Sequence, residues 1–551
     1  MKKALVFKQI SSLCKVFLDD DYNNHREIDE ITALKGERIS YQILYTGGTK
    51  DKTTVKYHVN VRDDLKPLIR KVGCVPSALP CKKEESDEFY LRKNPGLFPD
   101  VLYPMENDGF EVIYDNCHSL FITIQIPDDI DAGEHIVKFS FKTEDAVFDK
   151  TMKLKVINAV IPKCGIDYTQ WLHADCIADY YNFKVFSKEH WEMIDKFIKM
   201  AVHTGITMML TPVFTLPLDT EIGRERNTVQ LVDVKYFNCE YTFGFDKLKK
   251  WIKICKNNGI SKFEISHLFS QWGTGCPPKI IAETENGIEK IFGWHTSADS
   301  EEYRKFLNSF LPCLTDFLKK EGIYEQTYFH ISDEPDFEKH FECYAMERDI
   351  VKGLIPDDKI IDAISHYEFL EKGLVKKPIV ITCAVDKFFE KGFKDIWAYY
   401  CCGPAGDGYC NRFMAMPSGR NRIIGIQLYN YNIKGFLHWG FNFYSSQLSK
   451  RKINPFIVTD ADEAFQSGDA FSVYPYENGP IESLRSAVFY EALQDYRACL
   501  LLENYVGRKN VIKIINQHGK ITFNEYPRTD DEVLEIRNRI NQSLNKQLSN
   551  I

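Results

Sequence analysis

Gln326-Thr-Tyr-Phe-His-Ile-Ser-Asp-Glu-Pro335 is the stretch on which the reading of this chain turns. Its first seven residues mix aromatic, β-branched and polar types and read as a strand. Two carboxylates, Asp333 and Glu334, follow at once. Pro335 ends the ladder, because it has no N–H to give, and steers Glu334 toward extended backbone. On a regular strand neighbouring side chains point to opposite faces, so both carboxylates meet one target only if the strand end twists. A competing reading makes Ser332 or Asp333 the N-cap of a helix, with Pro335 in its first turn.

Outward from this segment the chain alternates strand and helix from about residue 166. Strand-like runs begin near Asp167, Ile206, Ser261, Gln326, Lys359, Lys377, Lys394 and Lys434. Helical patterns lie between most of them, as at Lys188–Met200 and Ser300–Leu307. Eight such units predict a (β/α)8 TIM-like barrel over 163–445, with residues 326–332 as the fourth strand. A doubly wound sheet is the rival, weakened because no Gly-rich phosphate loop follows the first strand.

Residues 1–162 read differently. Short alternating runs such as Lys56–Arg62 and Leu120–Ile126, bounded by turn residues, predict a β-sandwich that ends at Ile161-Pro162. Residues 446–551 turn from loop-rich to helical, with apolar spacing over Ser483–Glu503 and a charged amphipathic helix over about 529–547, expected as a solvated outer element. The fold class is therefore multidomain α/β plus β: sandwich, barrel, and a C-terminal mostly helical extension.

The bulk numbers narrow the function. The chain has 551 residues, net charge -8 and 13% aromatics, which are either core or platforms for stacking. No long basic run exists, so nucleic acid is not an expected partner, and a neutral substrate fits better than a polyanion. Lys8 and Lys15 interrupt the N-terminal apolar run, which argues against a signal peptide, and no run is long enough to span a bilayer. Sixteen scattered cysteines without paired zinc spacing point to a reduced, cytoplasmic protein. Nothing in the sequence fixes an oligomeric state.

In a barrel the reactive groups sit where strands end. Asp333 and Glu334 end the fourth strand. Trp171, His173 and Asp175 end the first; His267, Gln271 and Trp272 follow the third; Tyr399 ends the seventh; Trp439 and Asn442 follow the eighth. Two adjacent carboxylates are badly placed as the facing acid and nucleophile of ordinary retention, which stand about 5 Å apart across the sugar. They suit substrate assistance, in which the sugar's own 2-acetamido oxygen attacks the anomeric carbon.

The segment Phe329–Pro335 resembles the Asp-Glu-Pro signature of glycoside hydrolase family 123 and of the wider domain of unknown function 4091 group. Trp171–Asp175, Phe263–Gly273, Trp397–Tyr399, Gly435–Asn442, Tyr474–Arg485 and Asp495-Tyr496 also look like that group, so the likeness covers most of residues 120 to 505. The resemblance implies a β-N-acetylgalactosaminidase with an N-terminal sandwich and a (β/α)8 barrel. Carried over, Asp333 orients and polarises the acetamido group and Glu334 is the general acid/base. From its strand-end position Tyr399 is either a donor to the acetamido carbonyl or a core or rim tyrosine. Trp439 either walls the sugar ring or packs in a barrel layer. Trp171, His173, Asp175, His267, Gln271, Trp272, His330, Trp397 and Asn442 are the remaining substrate-binding candidates. The expected partner is a small glycan or glycoside, with no cofactor.

His173, His267, His330 and Asp333 raise a zinc site, but no His-Glu-x-x-His helix is present and no metal is expected. No Gly-x-Ser-x-Gly elbow exists, and Cys401-Cys402 has no evident base. Two alternatives stand beside the expected N-acetylhexosaminidase. One is a glycosidase for another sugar, with Asp175 or Glu264 as nucleophile. The other is a non-catalytic carbohydrate-binding protein.

Overall fold

The computed structural model describes residues 2–50, 52–273 and 275–549. The N-terminal part forms two five-stranded sheets. One runs in the order Lys2–Ser11, Arg38–Thr49, His118–Gln125, Leu68–Ser77, Gly96–Pro104; the other runs Glu30–Lys35, Val147–Val160, Gly133–Lys142, Thr53–Asn60, Gly109–Val112. The stretch weighed as a leader is thus the edge strand Lys2–Ser11. Phe7, Tyr41, Ile122, Phe139 and Phe141 fill the space between the sheets, with Phe7 and Phe141 stacked at 4.3 Å. The first sheet is covered on its other face too. Phe121 there meets Val72, Leu102 and Leu484, which is why 118–125 reads as one apolar run rather than as clean alternation.

All eight expected strands form after residue 160. They are β1 (Asp167–Gln170), β2 (Met208–Thr211), β3 (Lys262–Ile265), β4 (Thr327–Phe329), β5 (Ile361–Ala363), β6 (Lys377–Ile381), β7 (Trp397–Tyr399) and β8 (Gly435–His438). They pair in parallel as two sheets, β1-β8-β7-β6-β5 and β2-β3-β4. At one seam Phe329 bridges to Ile360; at the other Thr207 N–H donates to Tyr168 O over 2.9 Å. Period-2 alternation sends Trp171, Met208, Leu210, Ile361, Ala363, Trp397, Tyr399 and Leu437 into one apolar cluster. Gly435 is fixed by this packing, since a Cβ there would sit 1.9 Å from the Trp397 ring. A four-stranded patch over 233–292, two antiparallel hairpins joined by a parallel central pair, inserts between β2 and β4, and the sequence did not signal it.

Helices Lys188–His203 and Glu301–Lys320 extend the two expected helical runs. Helix Leu484–Val506 is buried along most of its length. Leu484 and Ala487 pack on the sandwich, while Phe489 stacks on Tyr168 at 4.8 Å. Helix Asp530–Leu548 is not merely solvated. It buries Val533, Ile536, Ile540 and Leu544, and Arg537 bonds Glu37 of the sandwich at 2.7 Å and Asp495 at 2.8 Å. No helix among the described residues is long and apolar enough to cross a membrane.

Candidate active site

The helix-cap reading of the Asp-Glu pair is resolved by one residue. Helix Phe337–Val351 is capped by Asp336, whose side chain accepts from Glu338 and Lys339 N–H. Asp333 and Glu334 are therefore free of capping duty. Glu334 is also not extended as Pro335 suggested; its φ is 45°, in the left-handed region. Proline chiefly forbids the right-handed conformation before it, and the left-handed alternative costs a non-glycine residue on the order of 1–3 kcal/mol. That turn breaks strand alternation, and both carboxylates line one cavity.

The cavity is small, about 80 Å³, well below the about 300–1,000 Å³ usual for small-ligand clefts. Trp171, Gln271, Trp272, Asp333, Glu334, Tyr399 and Trp439 line it, as expected from strand-end position. Leu218, Ala363, Leu437, Phe465, Cys401 and Cys402 make much of the remaining wall, which is mainly apolar. Asp219 joins them from the loop after β2, a strand end the sequence reading passed over. Phe465 comes from the C-terminal segment, where no local pattern marks it.

Tyr399 donates its hydroxyl to Glu334 Oε1 at 2.6 Å, and the phenol oxygen lies 3.1 Å from Ser365 Oγ. The Cys401 thiol lies 3.9 Å from the same carboxylate oxygen. Burial pushes Glu334 above the usual carboxylate range; the Tyr399 bond opposes that push, and the Asp469 charge reinforces it. Asp333 is pushed up by burial and by Glu334, with His330 opposing. Two coupled carboxylates in such a site hold one proton between them over a wide pH range. Asp219 is raised to about 6 by burial, and its Oδ1 has no hydrogen-bond partner among the described residues.

Six expected ligands stand behind the wall instead of on it. Asp175 is locked in a bidentate pair with Arg226, at 2.7 and 2.8 Å. Burial disfavours its charge, but Arg226 outweighs that and holds the carboxyl below its ordinary range. His173 Nδ1 faces Arg226 at 3.0 Å, so Nε2 carries the hydrogen and donates to Trp439 O at 3.1 Å. Burial, helped by Arg226, lowers His173 to about 3. Asn442 accepts His173 N–H at 2.9 Å and donates back to its carbonyl at 3.1 Å. Trp397 is packed against Gly435 and Tyr328 beneath the cavity. His267 and His330 are 1% and 0% exposed. None of these side chains lines the cavity among the described residues; Arg226, His173 and Asn442 instead pin the strand ends that carry Trp439 and Asp219.

Glu264, considered as a nucleophile, is fully buried as well. It accepts from Thr169, from Trp171 Nε1 at 3.3 Å and from His330 at 2.8 Å. Of the histidines in the zinc reading, His173 belongs to Arg226, while His267 and His330 bring their ligand atoms within 4.8 Å of Asp362. Trp439 is oriented by its indole N–H, which donates to Asp469 Oδ2 at 2.9 Å. Asp469 is fully buried and raised by that burial to about 6.

Residues 171–502 match the family model for the glycoside hydrolase 123 catalytic domain. A solved family 123 glycoside hydrolase from Clostridium perfringens, described for glycolipid glycan hydrolysis, is 16% identical and shares the fold over 98% of both chains, with TM-score 0.74. A Bacteroides uniformis β-glucuronidase, 10% identical, covers 90% of this chain and 52% of its own at TM-score 0.26, too low to support any argument. None of the curated proteins compared matches the chain.

Proposed function

The chain belongs to glycoside hydrolase family 123, and we propose that it is a retaining, exo-acting β-N-acetylhexosaminidase, favouring N-acetylgalactosaminides, in which the substrate's 2-acetamido group is the nucleophile. The observation that carries this reading is the left-handed backbone at Glu334, which turns two adjacent carboxylates onto one small cavity. Neighbours in sequence approach a sugar from the same side. That is wrong for an acid and a nucleophile on opposite faces, and right for two groups serving an attack from within the substrate.

In this reading Asp333 accepts the acetamido N–H and steadies the positive charge that grows as the acetamido oxygen bonds the anomeric carbon. Glu334 gives its proton to the departing glycosidic oxygen. It then takes a proton from the water that opens the cyclic intermediate, restoring both carboxylates and the acetamido group with retained configuration. Donors gather on Glu334 in the substrate-free site, so the shared proton rests on Asp333 there. The arriving acetamido N–H is the donor that favours ionised Asp333 and shifts the proton to Glu334. Trp439 and Phe465 supply the apolar wall. The same reading takes the two parallel sheets as halves of one (β/α)8 barrel, supported by the contacts at both seams. It divides the chain at 1–162, 163–445 and 446–551.

The test is hydrolysis of aryl 2-acetamido-2-deoxy-β-galactosides and -glucosides, with inhibition by a thiazoline mimic of the cyclic intermediate. Cleavage confined to glycosides lacking the 2-acetamido group would overturn the reading. A conventional two-carboxylate mechanism is the second reading, favoured by Asp219 on the same cavity. It requires a 2-deoxy-2-fluoro glycoside to label Asp219, whereas substrate assistance requires no label there.

A further inference from the structure

Two stacked imidazoles behind Asp333 have no part in the chemistry above. His330 is held between carboxylates, with Nε2 2.8 Å from Glu264 Oε2 and Nδ1 3.5 Å from Asp362 Oδ1. Burial disfavours its cation, but those two carboxylates outweigh burial and raise it to about 9. The His267 ring lies over it, with centroids 4.5 Å apart and planes inclined by 22°. Burial, and then the His330 charge, lower the His267 pKa, so this ring is neutral and offers one N–H.

His267 is 1% exposed, and neither of its nitrogens has a hydrogen-bond partner among the described residues. Leaving a buried polar group unpaired costs about 1–3 kcal/mol, so such a group calls for an explanation. The carboxylate facing it is Asp333, whose Oδ1 is 4.0 Å from Nε2. That is too long for a hydrogen bond, but catalytic bonds commonly tighten only when substrate is bound. The edge of Trp171 limits the ring's movement from another side, at 5.1 Å.

A shared divalent ion is the competing use of this cluster, because His267, His330 and Asp362 bring ligand atoms within 4.8 Å of one another. The ring geometry disfavours it. Imidazole lone pairs lie in the ring plane, and two rings stacked at 22° send them along nearly parallel lines that do not converge on one ion. His330 Nε2 is also already engaged by Glu264.

We propose that His267 is a positioning residue for Asp333, its Nε2–H closing onto the Asp333 carboxylate when that group ionises and so holding it in place for the substrate's acetamido N–H. The inference rests on the substrate-assisted reading. The charged groups around the pair are His330, Glu264 and Asp362 behind it, and Glu334 and Asp219 on the cavity side. Of these only His330 is cationic, which leaves Asp333 in need of a further donor.

The experiment compares wild type, His267→Phe, which keeps the aromatic stack, and His267→Gln, which keeps a donor near the Nε2 position. Glu334→Gln is the control. On aryl 2-acetamido-β-galactosides, His267→Phe is expected to lower kcat by about 10–100-fold, the usual effect of losing an outer-shell partner. The loss should persist across leaving groups, and thiazoline affinity should fall in parallel. Glu334→Gln instead recovers with acidic leaving groups, and His267→Gln recovers most of the activity. Carbodiimide labelling of Asp333 against pH, read by peptide mass, needs no turnover; its midpoint should rise in His267→Phe and stay put in His267→Gln. If His267→Phe fails to fold, His267→Asn, which withdraws the donor, takes its place.

Unchanged labelling and thiazoline affinity in His267→Phe overturn the proposal, as does equal impairment of the Gln variant. So does activity lost to a chelator and restored by zinc. If wild type ignores 2-acetamido substrates, the functional reading fails by itself and the labelling midpoint alone decides the role of His267.

Discussion

The phenol of Tyr399 lies 2.6 Å from Glu334 Oε1 and donates to it. Its strand-end position makes that phenol a candidate donor to the substrate's acetamido oxygen; in the substrate-free site it holds Glu334, the proposed acid/base. A donor on a carboxylate stabilises the ionised form and so lowers its pKa. In the substrate complex, where the proton sits on Glu334, removing it in Tyr399→Phe raises the Glu334 pKa, and the alkaline limb of kcat against pH moves to higher pH. A hydrogen bond to a charged group is worth about 1.5–3 kcal/mol. kcat/KM at neutral pH should therefore fall about 10- to 100-fold, and a limb that stays put or moves down contradicts the assignment.

The buried cation at His330 makes a stability prediction. Its folded pKa, about 9, exceeds the ordinary histidine value of about 6.5. A raised folded pKa gives stability that is complete below the unfolded value and is lost as pH rises through the folded one. His330→Gln should therefore destabilise most below about pH 6.5, and the gap from wild type should close between there and about pH 9. Urea midpoints at pH 6 and pH 9.5 check this. A gap that widens with pH refutes the cationic assignment.

Elements that depend on local pattern were legible in the sequence. The eight short strands announce themselves because each is an apolar run bracketed by turns and helices, and Asp333-Glu334 stands where strand four must end. What the sequence hid depends on partners far along the chain. His173 and Asp175 look like sugar ligands until Arg226, some fifty residues on, claims them. His330 looks like a rim residue until Glu264 and Asp362 enclose it. The backbone at Glu334 was misread for another reason: a following proline excludes one conformation and leaves two. Asp219 was missed because a single carboxylate after Leu216-Pro-Leu carries no signal of its own.

Arg485 joins helix Leu484–Val506 to the sandwich through Asp100, with bonds of 2.9 Å from Nε to one oxygen and from Nη2 to the other. Both side chains are essentially unexposed, and Tyr474 also donates to Asp100 at 2.6 Å. Arg485→Met strands a buried carboxylate, and stranding one partner of a buried pair costs about 3–5 kcal/mol. The unfolding midpoint should drop accordingly. Arg485→Met with Asp100→Asn should regain part of the loss, since the charge left unpaired is gone. Additive losses in that double variant would show the pair to be independent.

Asp469 supplies the opposite perturbation to Tyr399. It is a buried carboxylate whose charge raises Glu334, and its Oδ2 holds the Trp439 indole at 2.9 Å. Gly440 N–H donates to His438 Nδ1 at 3.0 Å, which leaves the His438 Nε2–H facing Asp469 Oδ1 at 3.3 Å. Asp469→Asn keeps an acceptor for Trp439 but removes the like charge, so the pair's upper pKa falls and the alkaline limb moves to lower pH. Asp469 itself titrates near 6, so the difference from wild type should fade below about that pH, where the native carboxyl is already neutral. Asp469→Leu differs again: it also releases Trp439, and the loss of the apolar wall should raise KM several-fold beyond the Asn variant. Limbs displaced in opposite directions by Tyr399→Phe and Asp469→Asn identify Glu334 as the group that titrates in the alkaline limb, because the two substitutions act on it with opposite sign. Displacement of both in one direction would assign that limb to another group.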